Sequence, residues 1–287
     1  MRPPSLLLLY CYAVCSSAVG LSYDPGLSLA SVWFTAASYC SDRGALQNWT
    51  CKTCRPDTPL SHIEVLWNPQ SAVQGVAGYD PLSKRIVVAF RGSVGTENWL
   101  EDFDFALVPT LPALGACPNC TVSKGFQTDT FLTIWPQCEA AIAAIQASVG
   151  AQAPLPILLT GHSLGAAIAE VAARALLEKN FPLAAVYTFG TPRVGDPSWA
   201  SAWSNALQGT PAFRVTHFMD PVPHLPLEAM GFQHPPTEVF YSSESGNGWR
   251  QCSSTNGEDK ACSDGNLPLD PSDHNHYLGV YIDGCNP

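Results

Sequence analysis

The sequence is poor in charge. Lys, Arg, Asp and Glu make up only 13% of its 287 residues, and 14 basic residues face 24 acidic ones, a formal net charge of −10. A nucleic-acid partner is excluded on that ground, because a phosphate backbone demands a basic face. The same balance offers nothing to a strongly anionic membrane. Long apolar runs are missing as well. The run from Leu6 to Val14 is too short to span a bilayer as a helix. The apolar stretches 141–149 and 164–177 are Ala-rich and of core-helix length, so no transmembrane segment is expected. No repeat, linker or composition shift divides the chain.

What remains is a chain with 46% hydrophobic residues, which suits one α/β domain over residues 21–287. Residues 1–20 read as a secretory signal peptide. Arg2 precedes the apolar run, and Ala18-Val19-Gly20 offers a cleavage site. An extracellular, oxidising location follows. Of the eleven cysteines, Cys11 and Cys15 fall in the leader. The other nine are expected as disulfides with one thiol left over, assigned to Cys138 in its Ala/Ile-rich helical stretch. Cys51/Cys54 and Cys117/Cys120 form C-x-x-C pairs that could hold zinc. Their wide separation and the leader argue against it, so no metal is expected. Asn48-Trp49-Thr50 and Asn119-Cys120-Thr121 fit the N-glycosylation pattern.

The informative stretch is 156–170. Ile157-Leu158-Leu159-Thr160 predicts a buried strand, and the residues from Leu164 onward favour a helix. Between them lies Gly161-His162-Ser163-Leu164-Gly165. A strand that turns sharply into a helix holds its central residue on a strained backbone and needs small flanking residues. Ser163 is therefore a candidate nucleophile, with a helix N-terminus behind it that favours an oxyanion.

A serine hydroxyl needs a base, and the base needs an orienting acid. The acid should follow a strand. Asp220 does so after 212–217, in a loop stiffened by Pro221 and Pro223, and Asp196 is its competitor. The base should lie late in the chain, where His274 and His276 both occur. His62, His217, His224 and His234 read as structural or surface residues. His162 flanks the nucleophile and could pack beneath it.

Elsewhere, 27–39 reads as a helix, and 63–67, 73–79 and 85–92 as strands. The stretch 126–149 reads as a helix with a break or kink at Pro136. After the strand 184–189 and that at 212–217, residues 238–241 form the last expected strand, and 242–272 a polar loop that Cys252 and Cys262 could staple. Strands alternating with helices predict a mostly parallel sheet covered on both faces.

The chain resembles the class 3 lipase family of secreted fungal-type lipases and feruloyl esterases over nearly its whole length after the leader. The resemblance rests on Phe90-Arg91-Gly92-Ser93, Asn98-Trp99, Gly125-Phe126, the Ser163 motif, Phe189-Gly190-Thr191-Pro192-Arg193-Val194-Gly195, and Val215-Thr216-His217 followed by Asp220-Pro221-Val222-Pro223-His224-Leu225-Pro226. It implies the α/β-hydrolase fold. It implies Ser163 as nucleophile, Asp220 as acid and His274 as base, the last because the family spacing His-x-x-Tyr selects it over His276. It implies an oxyanion hole from Ser93 and the Leu164 N–H. It pairs Cys40 with Cys285, Cys51 with Cys54, and Cys117 with Cys120, with Cys252–Cys262 as an addition. The stretch 97–107 matches the family's lid, and Trp99, Leu100 and Phe103 would form the apolar face of a short amphipathic helix. A plain core-packing helix is the alternative. Ser123 departs from the pattern, since many members carry His there.

The function expected from these residues is hydrolysis of acylglycerol esters through an acyl-enzyme at a lipid–water interface, by a monomer without cofactor. Feruloyl esterase and phospholipase A1 are alternatives on the same fold. A catalytically dead binding module is the alternative from another class.

Overall fold

The computed structural model describes residues 21–94 and 103–285. The expected leader, and Trp99 and Leu100 of the expected lid, lie outside the described residues. In chain order the strands are β1 (Ser61–Asn68), β2 (Val73–Asp80), β3 (Arg85–Phe90), β4 (Leu107–Pro109), β5 (Thr121–Ser123), β6 (Ile157–His162), β7 (Leu183–Phe189), β8 (Ala212–His217), β9 (Glu238–Tyr241), β10 (Trp249–Gln251), β11 (His276–Tyr277) and β12 (Val280–Tyr281). The helices are α1 (Pro25–Ser38), α2 (Arg43–Gln47), α3 (Leu132–Val149), α4 (Leu164–Glu178) and α5 (Pro197–Ala206).

Eight strands form one sheet in the order β1-β2-β3-β6-β7-β8-β9-β10. From β3 to β9 every pairing is parallel, while β1, β2 and β10 join antiparallel at the edges. The central strands are apolar because both faces are covered. In β3, Ile86, Val88 and Phe90 join the cluster beneath α3 and α4. Val87 and Ala89 point the other way, into the cluster beneath α1. This two-residue alternation is the pleat itself. Each of the larger of these side chains, once buried, contributes about 1.5–3 kcal/mol relative to exposure.

Local signals set the helix ends. The Asp24 carboxylate accepts from the Gly26 and Leu27 N–H groups and Pro25 opens α1. Asp196 caps α5 through the Trp199 N–H. The expected break at Pro136 does not occur. α3 runs through it, and the irregularity lies just upstream as π-helical turns over Gly125–Phe131. Pro136 lies inside the helix, as its fifth residue. The stretch 242–272 also holds more structure than its polarity suggests. β10 pairs with β9 there, and β11 and β12 follow near the C-terminus, so 238–241 is not the last strand. These strands are too short and too polar to carry a periodic signal.

Four disulfides fasten the frame: Cys40–Cys285, Cys51–Cys54, Cys117–Cys120 and Cys252–Cys262. Cys138 is a buried free thiol on α3. Both C-x-x-C pairs are closed, so neither presents a thiolate pair to zinc.

Candidate active site

Ser163 stands between β6 and α4 with φ 57° and ψ −126°. A non-glycine residue in such a region stores on the order of 1–3 kcal/mol of strain. The flanking glycines make the turn possible by packing. A Cβ on Gly161 would collide with the Gly165 carbonyl, and one on Gly165 with the Phe90 carbonyl at the end of β3. Ser163 is fully buried, and its Oγ has no hydrogen-bond partner among the described residues.

β8 ends at His217, and the turn after it delivers Asp220 to the same sheet edge. The Asp220 carboxylate is buried and accepts from three donors. His274 Nδ1 lies 2.9 and 3.0 Å from its two oxygens, the Val222 N–H donates to Oδ1 at 2.9 Å, and the Tyr277 hydroxyl donates to Oδ2. Burial works against the carboxylate's charge. The neighbouring His274, the Tyr277 hydroxyl and the Val222 N–H more than offset it, so Asp220 is held below the usual carboxylate range. A carboxylate can only accept, so His274 Nδ1 carries the proton and Nε2 presents a lone pair. That Nε2 is buried and without a partner among the described residues. The structure thus brings an unpaired serine hydroxyl and an unpaired basic nitrogen to one sheet edge.

The two competitors point elsewhere. His276 is exposed, bonds the Ser272 carbonyl at 3.0 Å and packs its ring at a tilt against Tyr281. Asp196 is occupied with Thr121 and the α5 N-terminus. Two further histidines hold main chain: the His217 ring reaches the Ser243 carbonyl at 3.1 Å and the His234 ring the Pro223 carbonyl at 2.8 Å.

Ser93 and Leu164 flank the nucleophile from two elements. Gly92 backs onto Ser163, since a Cβ there would lie 2.9 Å from the Ser163 Cβ, and Ser93 follows it, half-buried. Leu164 opens α4, where the first N–H groups have no partner within the helix. Phe103 packs inward on Phe126 and Phe105, with ring centroids 4.5 and 5.1 Å away. Glycine at 125 leaves the room, because a Cβ there would collide with the Phe103 ring. Ser123 is buried and donates to the Asp104 carbonyl at 2.9 Å.

Three contributors act through contacts that sequence pattern does not show. Gly190 has φ +58°, and a Cβ there would lie 2.9 Å from both Asp220 Oδ2 and the Tyr277 hydroxyl. Tyr277 appears in the family spacing, but its bond to Asp220 is a tertiary fact. Arg193, buried, grips Glu258 through two bonds of 2.9 and 2.7 Å. It also donates to the His224 and Pro226 carbonyls at 2.6 and 3.0 Å. It therefore ties the loop after Asp220 to the stretch 242–272.

Among the described residues, three clusters bring possible metal-ligand atoms within 4.8 Å of one another. Two contain disulfide sulfurs, and the third, Glu228/Glu258/Asp264, is already paired with Arg193 and Lys260.

A largely parallel sheet that carries a serine on a strained strand-to-helix turn, followed in chain order by aspartate and histidine, defines an α/β-hydrolase. Residues 87–230 match the family described as Lipase (class 3). The chain belongs to the class 3 lipase family. A secreted mono- and diacylglycerol lipase A of Penicillium cyclopium is 38% identical over 177 residues, 60% of this chain and 54% of that protein. The chain thus spans about half the length of that relative. A lipase of Rhizomucor miehei is 30% identical over 257 residues, 88% of this chain and 68% of that one. A solved triacylglycerol lipase, whose catalytic centre is described as a serine-protease triad, superposes with a TM-score of 0.79 at 28% identity. That match covers 91% of this chain and 96% of the other.

Proposed function

We propose that this chain is a secreted carboxylic-ester hydrolase that cleaves acylglycerols through an acyl-enzyme. The observation that carries the reading is the pair of buried, unpaired atoms, Ser163 Oγ and His274 Nε2, with His274 held in one tautomer by Asp220. Ser163 Oγ attacks the ester carbonyl carbon while its proton passes to His274 Nε2. Asp220, ionised and triply bonded, stabilises the imidazolium. The carbonyl oxygen gains the negative charge and meets the Leu164 N–H, with the N–H and hydroxyl of Ser93 on the other side. The C–O bond to the glyceride then breaks, and the departing alkoxide takes the proton from His274. Water repeats the sequence on the acyl-enzyme and releases the fatty acid.

A lipid substrate is supported by the relatives named as mono- and diacylglycerol lipases. The named secreted relatives and the four disulfides support an extracellular location. Among the described residues no helix is long and apolar enough to cross a membrane. The test compares rates on mono-, di- and triolein, tributyrin, a phospholipid and methyl ferulate, each with Ser163→Ala as control. Preference for an acylglycerol, lost in Ser163→Ala, is the expected result. Preference for methyl ferulate or for the phospholipid would replace the substrate class.

A further inference from the structure

Beneath the Ser163–His274 pair runs a second buried chain of polar groups that the reaction above does not use. His162 Nε2 lies 2.7 Å from the main-chain carbonyl of His274. A carbonyl accepts, so this nitrogen carries the proton. In a neutral imidazole the other nitrogen must then accept. Nδ1 lies 2.6 Å from the Tyr39 hydroxyl, which is therefore the donor. The same hydroxyl accepts the Gly92 N–H at 3.0 Å. The direction of the chain is thus fixed: Gly92 N–H to Tyr39, Tyr39 to His162, His162 to the His274 carbonyl.

Each member is anchored. Tyr39 caps the C-terminus of α1 beside Cys40, which is disulfide-bonded to Cys285. His162 ends β6 immediately before the nucleophile. Its ring lies 4.4 Å from that of His274, centroid to centroid, and meets Tyr277 edge-on at 5.7 Å. A Cβ on Gly92 would collide with the Tyr39 hydroxyl, so glycine is what lets this N–H reach it. Burial, together with the neighbouring His274, pushes His162 down to about 3. It therefore remains an uncharged ring beneath the residue that receives the proton from Ser163. A second cation there would oppose that transfer.

Resting on the reading of Ser163 and His274 given above, we propose that Tyr39 and His162 are positioning residues that bind the backbone of the base to the backbone of the oxyanion turn. Gly92 leads directly into Ser93, so the chain sets the distance across which nucleophile, base and oxyanion donors must agree. The alternative is that the two residues merely fill the core.

Three variants separate these roles, assayed on a soluble p-nitrophenyl ester with active sites counted by phosphonate titration. Tyr39→Phe keeps the ring and removes the hydroxyl. His162→Leu removes both bonds. His162→Gln keeps an N–H that can reach the His274 carbonyl. Tyr39→Phe and His162→Leu are each expected to lower kcat per titrated site by about tenfold to a hundredfold, with KM within about twofold of the parent. His162→Gln should recover most of the loss, and the Tyr39→Phe/His162→Leu pair should be little worse than His162→Leu alone. A kcat for Tyr39→Phe within about twofold of the parent, or a glutamine variant no better than leucine, would overturn the proposal. If Tyr39→Phe yields no folded protein, the comparison of His162→Leu with His162→Gln decides alone. Ser163→Ala separates this proposal from the reading on which it rests. Activity that survives Ser163→Ala sinks that reading, whereas Ser163-dependent activity with an undisturbed Tyr39→Phe sinks only the relay.

Discussion

Gly190→Ala tests the packing of the site without removing any reacting group. At φ +58° an alanine is strained by about 1–2 kcal/mol. Its Cβ would lie 2.9 Å from Asp220 Oδ2 and the Tyr277 hydroxyl and 3.1 Å from His274 Cε1, inside normal contact with all three. Relieving that overlap costs roughly 1–3 kcal/mol more, as overpacking does elsewhere. The sum, about 2–5 kcal/mol, corresponds to a Tm lower by roughly 5–15 °C for a chain of this size. Relief must come from displacing the carboxylate, the hydroxyl or the imidazole by several tenths of an ångström. A misplacement near 1 Å costs about a hundredfold in rate, so kcat should fall about tenfold to a hundredfold while KM changes little. Urea unfolding gives the first quantity, and turnover of a soluble ester per titrated site gives the second. Loss of stability with unchanged kcat would refute the claim that this contact sets the His274–Asp220 geometry. No loss of either would refute the close approach itself.

Other consequences follow from single contacts. His274→Ala should cost several orders of magnitude in kcat, as loss of a triad base does, whereas His276→Ala, exposed and bonded only locally in the structure, should stay within a few fold of the parent; the reverse pattern in ester turnover would place the base on the wrong histidine. Arg193→Met should destabilise the protein by about 3–5 kcal/mol by leaving the buried Glu258 without its counter-charge, and adding Glu258→Gln should restore part of it in chemical denaturation. Burial alone would raise the Glu258 carboxyl, but its charge and hydrogen-bond partners bring it down to about 2. A depressed carboxyl stabilises above its unfolded value and loses that contribution as pH falls through its folded one. The gap between parent and Arg193→Met should therefore narrow from about pH 4.5 down to about 2, and a gap that widens there would contradict the pairing. Opening Cys40–Cys285, with a sequence separation of 245, should cost about 5 kcal/mol, against about 3 for Cys252–Cys262, with a separation of 10. Equal losses in paired Cys→Ser variants would contradict the loop-closure argument.

Much of the architecture is legible in the chain because it is written in local patterns. The run Ile86 to Phe90 is apolar on both faces and reads as a buried strand. The glycines around Ser163 announce the turn because no larger residue could occupy them. Chain order points to Asp220 and to two late histidines, the family resemblance selects His274 of the two, and the structure joins it to Asp220. What pattern reading misses is tertiary. Gly190, Tyr277 and Tyr39 matter through partners 30 to more than a hundred residues away, as in the 123-residue separation of Tyr39 from His162. The contact of Phe103 with Phe126, for which Gly125 makes room, is likewise tertiary. β10 hides in a polar stretch because an edge strand of three residues needs only main-chain bonds to β9. Pro136 misleads because a proline can sit within a helix whose neighbouring turn is π-helical, an arrangement that residue type does not reveal.

The central claim is that Ser163 is the nucleophile. A p-nitrophenyl alkylphosphonate, which phosphonylates a catalytic serine with loss of p-nitrophenolate, tests it directly. The predicted result is release of one equivalent of p-nitrophenolate per chain, complete loss of esterase activity, and an adduct mapped by mass spectrometry to Ser163. An adduct on another residue that abolishes activity, or full activity with Ser163 modified, would contradict it.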